Sequence, residues 1–212
     1  MRAGIGTRIG AALLVLPLVA ALFLGGPAAA QTAPDELVRR MTDDVLKTVQ
    51  SDRDLQSGDR QKVLALAEQK VLPLVDFAEA TRLATGRAWN AATAAQKEAL
   101  VGNFRRMLVR IYANAIGTYR GQTLRVMPLR MDPAATDVTV RNQYLRAGRP
   151  PVEVDYAMRK TDETWKIYDI TVEGVSLVLT YRSEFAAIVR DSGIDGLVKR
   201  LAEKNAPAHT AR

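Results

Sequence analysis

Between residues 35 and 119 apolar side chains recur every three or four positions; from residue 121 the spacing shortens to two, and helical spacing returns after residue 177. Leu37, Val38, Met41, Val45 and Val49 predict a first helix over 35–50, with Asp35 placed to cap it. The polar stretch 51–58 reads as a loop. Val63, Leu64, Ala67 and Val71 then predict a helix from Asp59 that stops or kinks at Pro73, and Asp76 opens a short one carrying Phe77, Ala80 and Leu83. The strongest helical pattern starts at Thr93, which forms a capping box with Gln96. Its stripe of Leu100, Phe104, Leu108, Ile111, Ala115 and Tyr119 lies opposite Lys97, Glu98, Arg105, Arg106 and Arg110.

In the second half, Val138, Val140 and Tyr144 alternate with Thr139, Arg141 and Gln143, and Val152, Val154, Tyr156 and Met158 alternate with Glu153, Asp155 and Arg159. With Leu124 to Leu129 and Trp165 to Val172 these make four strands. The links between them are short and hold no helix, which forces antiparallel pairing. Val178, Tyr181, Phe185, Ile188 and Val189 form the next helical stripe; Gly193 ends it and Asp195 caps a last helix through Ala202. Helices, then a strand meander, then helices predict an α+β fold: an antiparallel sheet of about four strands with helices packed on one face.

The first thirty residues have a different character. Arg2 and Arg8 precede an apolar run from Ile9 to Leu24, and Ala28, Ala29 and Ala30 supply small residues for cleavage. Gly10 and Pro17 interrupt the run, which is short for a permanent span of about 20 apolar residues. Residues 1–30 therefore read as a cleaved secretory signal, residues 31–206 as a single domain, and 207–212 as a disordered tail. Removing Arg2 and Arg8 with the signal lowers the net charge from +7 to +5, a modest surplus with both signs interspersed. There is no cysteine, so an exported chain must hold its fold without disulfides.

Composition removes most catalytic chemistry. The one histidine, His209, stands three residues from the end. No thiol nucleophile, common zinc set, phosphate loop or Gly-x-Ser-x-Gly elbow is available, and no cofactor or metal is expected. Asp155, Asp169 and Glu173 are the remaining candidates for acid–base work, with solvation or structural pairing as the competing reading. The arginines between 105 and 130 could follow a nucleic-acid backbone, but a solvated face fits an exported chain better, and no nucleic-acid partner is expected.

Several separated motifs occur in one order: Thr93-Ala94-Ala95-Gln96, Tyr112-Ala113-Asn114-Ala115, Tyr119-Arg120-Gly121-Gln122, Arg149-Pro150-Pro151-Val152, Trp165-Lys166 through Tyr168-Asp169, Glu173-Gly174-Val175-Ser176 and Gly193-Ile194-Asp195-Gly196-Leu197. In these the chain resembles the MlaC, or toluene-tolerance, family of periplasmic phospholipid carriers. The resemblance implies helices packed on a sheet around an apolar cavity that shelters acyl tails. It also implies a non-enzymatic shuttle in the periplasm that maintains outer-membrane lipid asymmetry; the oligomeric state is left open, although a shuttle would work as a monomer. Its implied partners are an outer-membrane lipoprotein complex and the substrate-binding subunit of an inner-membrane ABC transporter.

The inner stripes nominate the lining of such a cavity: Phe104, Leu108, Ile111, Tyr112 and Ala115 on the long helix, and Val140, Val154, Tyr156, Ile170 and Val172 on the strands. Val175, Leu177 and Val178 follow on the return, with Leu74 and Phe77 near the opening. Ordinary core packing competes with pocket lining at each position, because periodicity locates a buried face without showing whether space lies behind it. Arg159 and Arg182 are secondary candidates for a lipid phosphate. Other readings are a carrier of a hopanoid or another lipid, a small enzyme using the three carboxylates, and an adaptor with a filled core.

Overall fold

Proline at the first helical position supplies the required φ where its missing N–H has no partner to lose, and helix α1 (Pro34–Ser51) begins in this way. The structure is a computed structural model that describes residues 31–113, 122–162 and 164–206. Asp35 does not cap α1: Ala33 is the cap residue, and Asp35 joins Glu36 in the first turn, where negative charge opposes the helix dipole. The expected loop after α1 contains a short helix, α2 (Arg53–Ser57). Asp52 makes it possible, its carboxylate accepting from the Asp54 and Leu55 amides.

Asp59 caps α3 (Arg60–Lys70), a 3-10 turn (Leu72–Leu74) carries Pro73, and Asp76 caps α4 (Phe77–Thr85) by accepting from the Glu79 amide at 2.9 Å. After α5 (Ala88–Ala91), the capping box at Thr93 and Gln96 is present and opens α6 (Ala94–Tyr112).

The sheet runs β1 (Thr123–Val126), β2 (Asp137–Leu145), β3 (Val152–Lys160), β4 (Trp165–Val172) and β5 (Val175–Ser176), each antiparallel to the next. It has five strands rather than four. Glu173 and Gly174 both take positive φ, 49° and 80°, and this two-residue reversal lays Val175 against Val172. A bulge leaves Tyr168 of β4 without a partner on β3, so Ala157 pairs with Asp169 and Met158 with Ile167. The far edge of β4 is closed by a bridge from Val75 to Ile167.

A second 3-10 turn (Leu179–Tyr181) leads into α7 (Arg182–Asn205), which breaks at Gly193. There φ is 69° and ψ −175°, a region essentially reserved for glycine. Beyond it the helix doubles back, so that Lys204 Nζ reaches Glu184 Oε1 at 2.5 Å and Asn205 Nδ2 donates to the Asn103 carbonyl at 2.8 Å.

Helix α1 lies against β1 and β2, α4 lies against β4, and α6 packs on α4 and α7. The buried apolar residues fall into three clusters. A helical one centres on Phe104, Met107, Phe185, Leu197 and Leu201; a sheet one holds Val38 and Met41 of α1 with Val140, Tyr156, Met158 and Ile167. A smaller one ties Val49, Leu55, Val63 and Leu66 to Ala113. Among the described residues no helix is long and apolar enough to cross a membrane.

Candidate functional site

The nominated residues divide between two layers. Phe104, Leu108 and Val178 belong to the helical cluster, whereas Leu74, Val140, Val154, Tyr156, Ile170 and Val172 belong to the sheet cluster. Tyr112 connects the end of α6 to the second 3-10 turn, its hydroxyl 3.5 Å from that of Tyr181. Phe77 is half-buried beneath the Arg105 guanidinium, 5.4 Å from ring centre to Cζ, and Leu177 is half-buried. Ala115 and Tyr119 lie outside the described residues.

Two nominated residues are not inner at all. Ile111 is 44% exposed and Val175 58%, with Leu179 also exposed. Ile111 is near the last turn of α6 and Val175 follows the reversal after β4, and among the described residues neither is covered by a second layer. Two hollows, of about 450 and 400 Å³, open elsewhere: one around the β1–β2 connection and one between α3 and α6. None of the nominated residues lines either.

The inner face of the sheet also carries polar groups that alternation alone could have revealed. Asn142 occupies an inward position between Val140 and Tyr144 and is 1% exposed. Its amide nitrogen donates to the Val140 and Val154 carbonyls at 2.8 and 3.1 Å, which fixes its orientation and leaves Oδ1 without a partner. Tyr144 and Tyr156 lean toward each other until their hydroxyls are 3.0 Å apart. Burial, then the neighbouring Tyr144, pushes the Tyr156 phenol well above its usual range. The Tyr181 phenol is also raised, first by burial and then by its bond to Tyr112. Both phenols therefore stay protonated at neutral pH and act as hydrogen-bonding groups.

The three carboxylates do not assemble an acid–base pair. Asp169 is buried and accepts from the Ile170 amide, the Ser176 hydroxyl at 2.5 Å and the Val178 amide at 3.2 Å. Ser176 Oγ in turn accepts from the Leu179 amide. Asp169 thus pins the segment that supplies Leu177, Val178 and Tyr181. Glu173 accepts from the Glu153 amide at 2.6 Å, and the Asp155 carboxylate has no hydrogen bond or ion pair among the described residues. Arg159 is neutralised by Glu79, Nη1 to Oε2 at 2.8 Å. Arg182 is exposed and lies beside Gly86. No group of three or more potential metal ligands occurs among the described residues.

Helices packed against a five-stranded antiparallel sheet also occur in known proteins of similar sequence. The family profile described as MlaC protein matches residues 39–203. The chain is 22% identical over 179 residues to the intermembrane phospholipid transport system binding protein MlaC of Haemophilus influenzae, covering 83% of this chain and 84% of that one. It is 23% identical over 168 residues to the toluene tolerance protein ttg2D of Pseudomonas putida, with 79% and 77% coverage. A solved structure of the phospholipid-binding protein from Ralstonia solanacearum, in complex with a phospholipid, superposes with a TM-score of 0.75 at 38% identity, covering 82% of this chain and 97% of that one. This chain belongs to the MlaC family, whose members so described bind and transport phospholipid.

Proposed function

We propose that this protein is a periplasmic carrier that holds a phospholipid with its tails between the helical and sheet clusters. It would pass the lipid between an outer-membrane lipoprotein complex and the substrate-binding subunit of an inner-membrane ABC transporter. Residues 1–30 act as the export signal and residues 31–206 as the carrier domain. The observation that carries this reading is the Ralstonia relative, which binds a phospholipid on the same fold at 38% identity. The layered division of the nominated residues supports it: apolar surfaces on two layers can part around a hydrocarbon chain without breaking a covalent bond or a strand ladder.

The energetics explain why such a protein needs no catalytic group. Exposing a diacyl lipid with about 30 methylenes to water costs on the order of 20 kcal/mol. Burial between Phe104, Leu108 and Val178 on one side and Val154, Ile170 and Val172 on the other offsets that cost. Transfer then becomes an exchange between two apolar sites, and its direction comes from partners that bind loaded and empty forms differently. The opening would lie beside Leu74 and Phe77, both half-buried.

Native mass spectrometry of the purified protein tests the reading. Phospholipid should be retained by the wild type and lost from Val172→Trp, which keeps its fold because the new ring occupies the space of the tails. A protein that never retains lipid, or a Val172→Trp variant destabilised by the ~1–3 kcal/mol of an overpacked solid core, would overturn it.

A further inference from the structure

Four arginines face the groove between α3 and α6: Arg60 from the first helix and Arg105, Arg106 and Arg110 from the second. All four are exposed, and none has a carboxylate counter-ion among the described residues. Arg105 instead rests on the Phe77 ring, and Arg106 Nη2 donates to Asn103 Oδ1 at 2.8 Å. The floor is apolar, formed by the half-buried side chains of Leu64, Leu72 and Val109, and the hollow measures about 400 Å³.

This arrangement disfavours the isolated protein. Arg106 and Arg110 stand four residues apart on one helix, a like-charge spacing that costs helix stability. Only Arg110 falls in the last turn, where a cation is favoured by the helix dipole. The groove's single acid, Glu68, pairs with none of the arginines. An unneutralised cationic rim over an apolar floor has the complement expected for an acidic, amphipathic ligand.

We propose that this groove docks an acidic amphipathic helix of a protein partner, its carboxylates on the arginine rim and its apolar ridge on Leu64, Leu72 and Val109. A cleft between two helices accepts the ridge of a third. Guanidinium forks suit carboxylates, which they can hold through two parallel bonds. A bilayer fits less well, because a flat surface reaches the rim and not the recessed floor, and its phosphates would meet Glu68. No nominated lipid-contacting residue lines the groove, so the docking surface stands whatever cargo the protein carries.

The test uses the full mature chain and a synthetic helical peptide with glutamates along one face and leucines along the adjoining one, followed by fluorescence anisotropy. The wild type should bind it, more weakly at high salt. The double reversal Arg106→Glu with Arg110→Glu should weaken binding on the order of tenfold or more. The neutral pair Arg106→Gln with Arg110→Gln should lie between, and Arg149→Glu on the exposed β2–β3 turn should leave binding unchanged. Unchanged thermal unfolding would show that the variants are folded. Three results would overturn the proposal: no binding by the wild type, binding indifferent to the double reversal, or phosphatidylglycerol vesicles captured through the same arginines in preference to the peptide.

Discussion

The helical and sheet clusters solve the problem of burial in different ways. In the helical cluster three aromatic rings lock together: Phe104 meets Tyr181 and Phe185 edge-on at 5.5 and 5.3 Å, and those two stack at 5.7 Å. The sheet side keeps polar groups within its apolar surroundings: the Tyr144–Tyr156 pair and Asn142, with Thr42 on the helix packed against it. Asn142 Oδ1 and Thr42 Oγ1 are both buried without a partner. Each unmade bond of this kind costs about 1–3 kcal/mol. Asn205 Oδ1, where α7 meets α6, is also buried without a partner, so the layers differ in degree: the helical one is closed mainly by its aromatic rings, while the sheet one carries more hydrogen-bonding capacity that its own fold does not use.

Substitutions can sharpen or break that contrast. Phe104→Ala removes the ring that both other aromatics touch, and urea unfolding should register a loss of about 3–5 kcal/mol. A loss under about 1 kcal/mol would show that the helical layer is loosely packed. Asp169→Ala takes the acceptor from the Ser176 hydroxyl and the Val178 amide, and the same measurement should give about 2 kcal/mol. Lipid retention should fall with it, because the freed segment carries Leu177 and Val178; intact retention would separate the pinning from the cargo.

A smaller effect is expected where α4 meets the sheet. The hydrogen bond from Arg82, with the charge of Arg159, holds the Glu79 carboxyl below its ordinary range. A lowered folded-state pKa contributes stability that is fully present above the unfolded carboxylate range and lost as pH falls through the folded value. Glu79→Gln should therefore flatten the acid limb of a stability–pH profile, and an unchanged limb would assign it to other carboxylates. Last and smallest, Thr42→Val should be neutral or stabilising by up to ~1 kcal/mol in thermal unfolding, because it deletes an unpartnered hydroxyl at nearly constant volume. A clear destabilisation would mean that the hydroxyl has a partner and would weaken the contrast between the layers.

Much of this architecture was legible in the sequence because local chemistry dictates it. The capping box at Thr93 and Gln96, the Asp76 cap and the break at Gly193 stand where spacing and residue type placed them. What escaped depends on the backbone geometry of short segments and on where one layer stops covering another. Residues 51–58 contain a helix because one carboxylate, that of Asp52, captures two amides. Strand β5 exists because Glu173 tolerates a positive φ beside Gly174. The stripe was right for Phe104 and Leu108 and wrong at Ile111, since periodicity assigns a face but not the extent of the layer covering it. Asn142 carried its own signal, an amide at an inward position of an alternating strand, and its importance emerges only once both of its carbonyl partners are seen.

The reversal at Gly193 also bears on how the chain reaches its fold. A helical hairpin joined at one residue closes a very short loop, so little chain freedom is surrendered when Ile194–Asn205 returns alongside the preceding turns. The strand pairs β2–β3, β3–β4 and β4–β5 are joined just as locally, through connections of six, four and two residues. Contacts at short sequence separation form soonest, so the terminal hairpin and these strand pairs should precede the packing of α6 on α7, where Asn205 meets Asn103 across a separation of 102 positions.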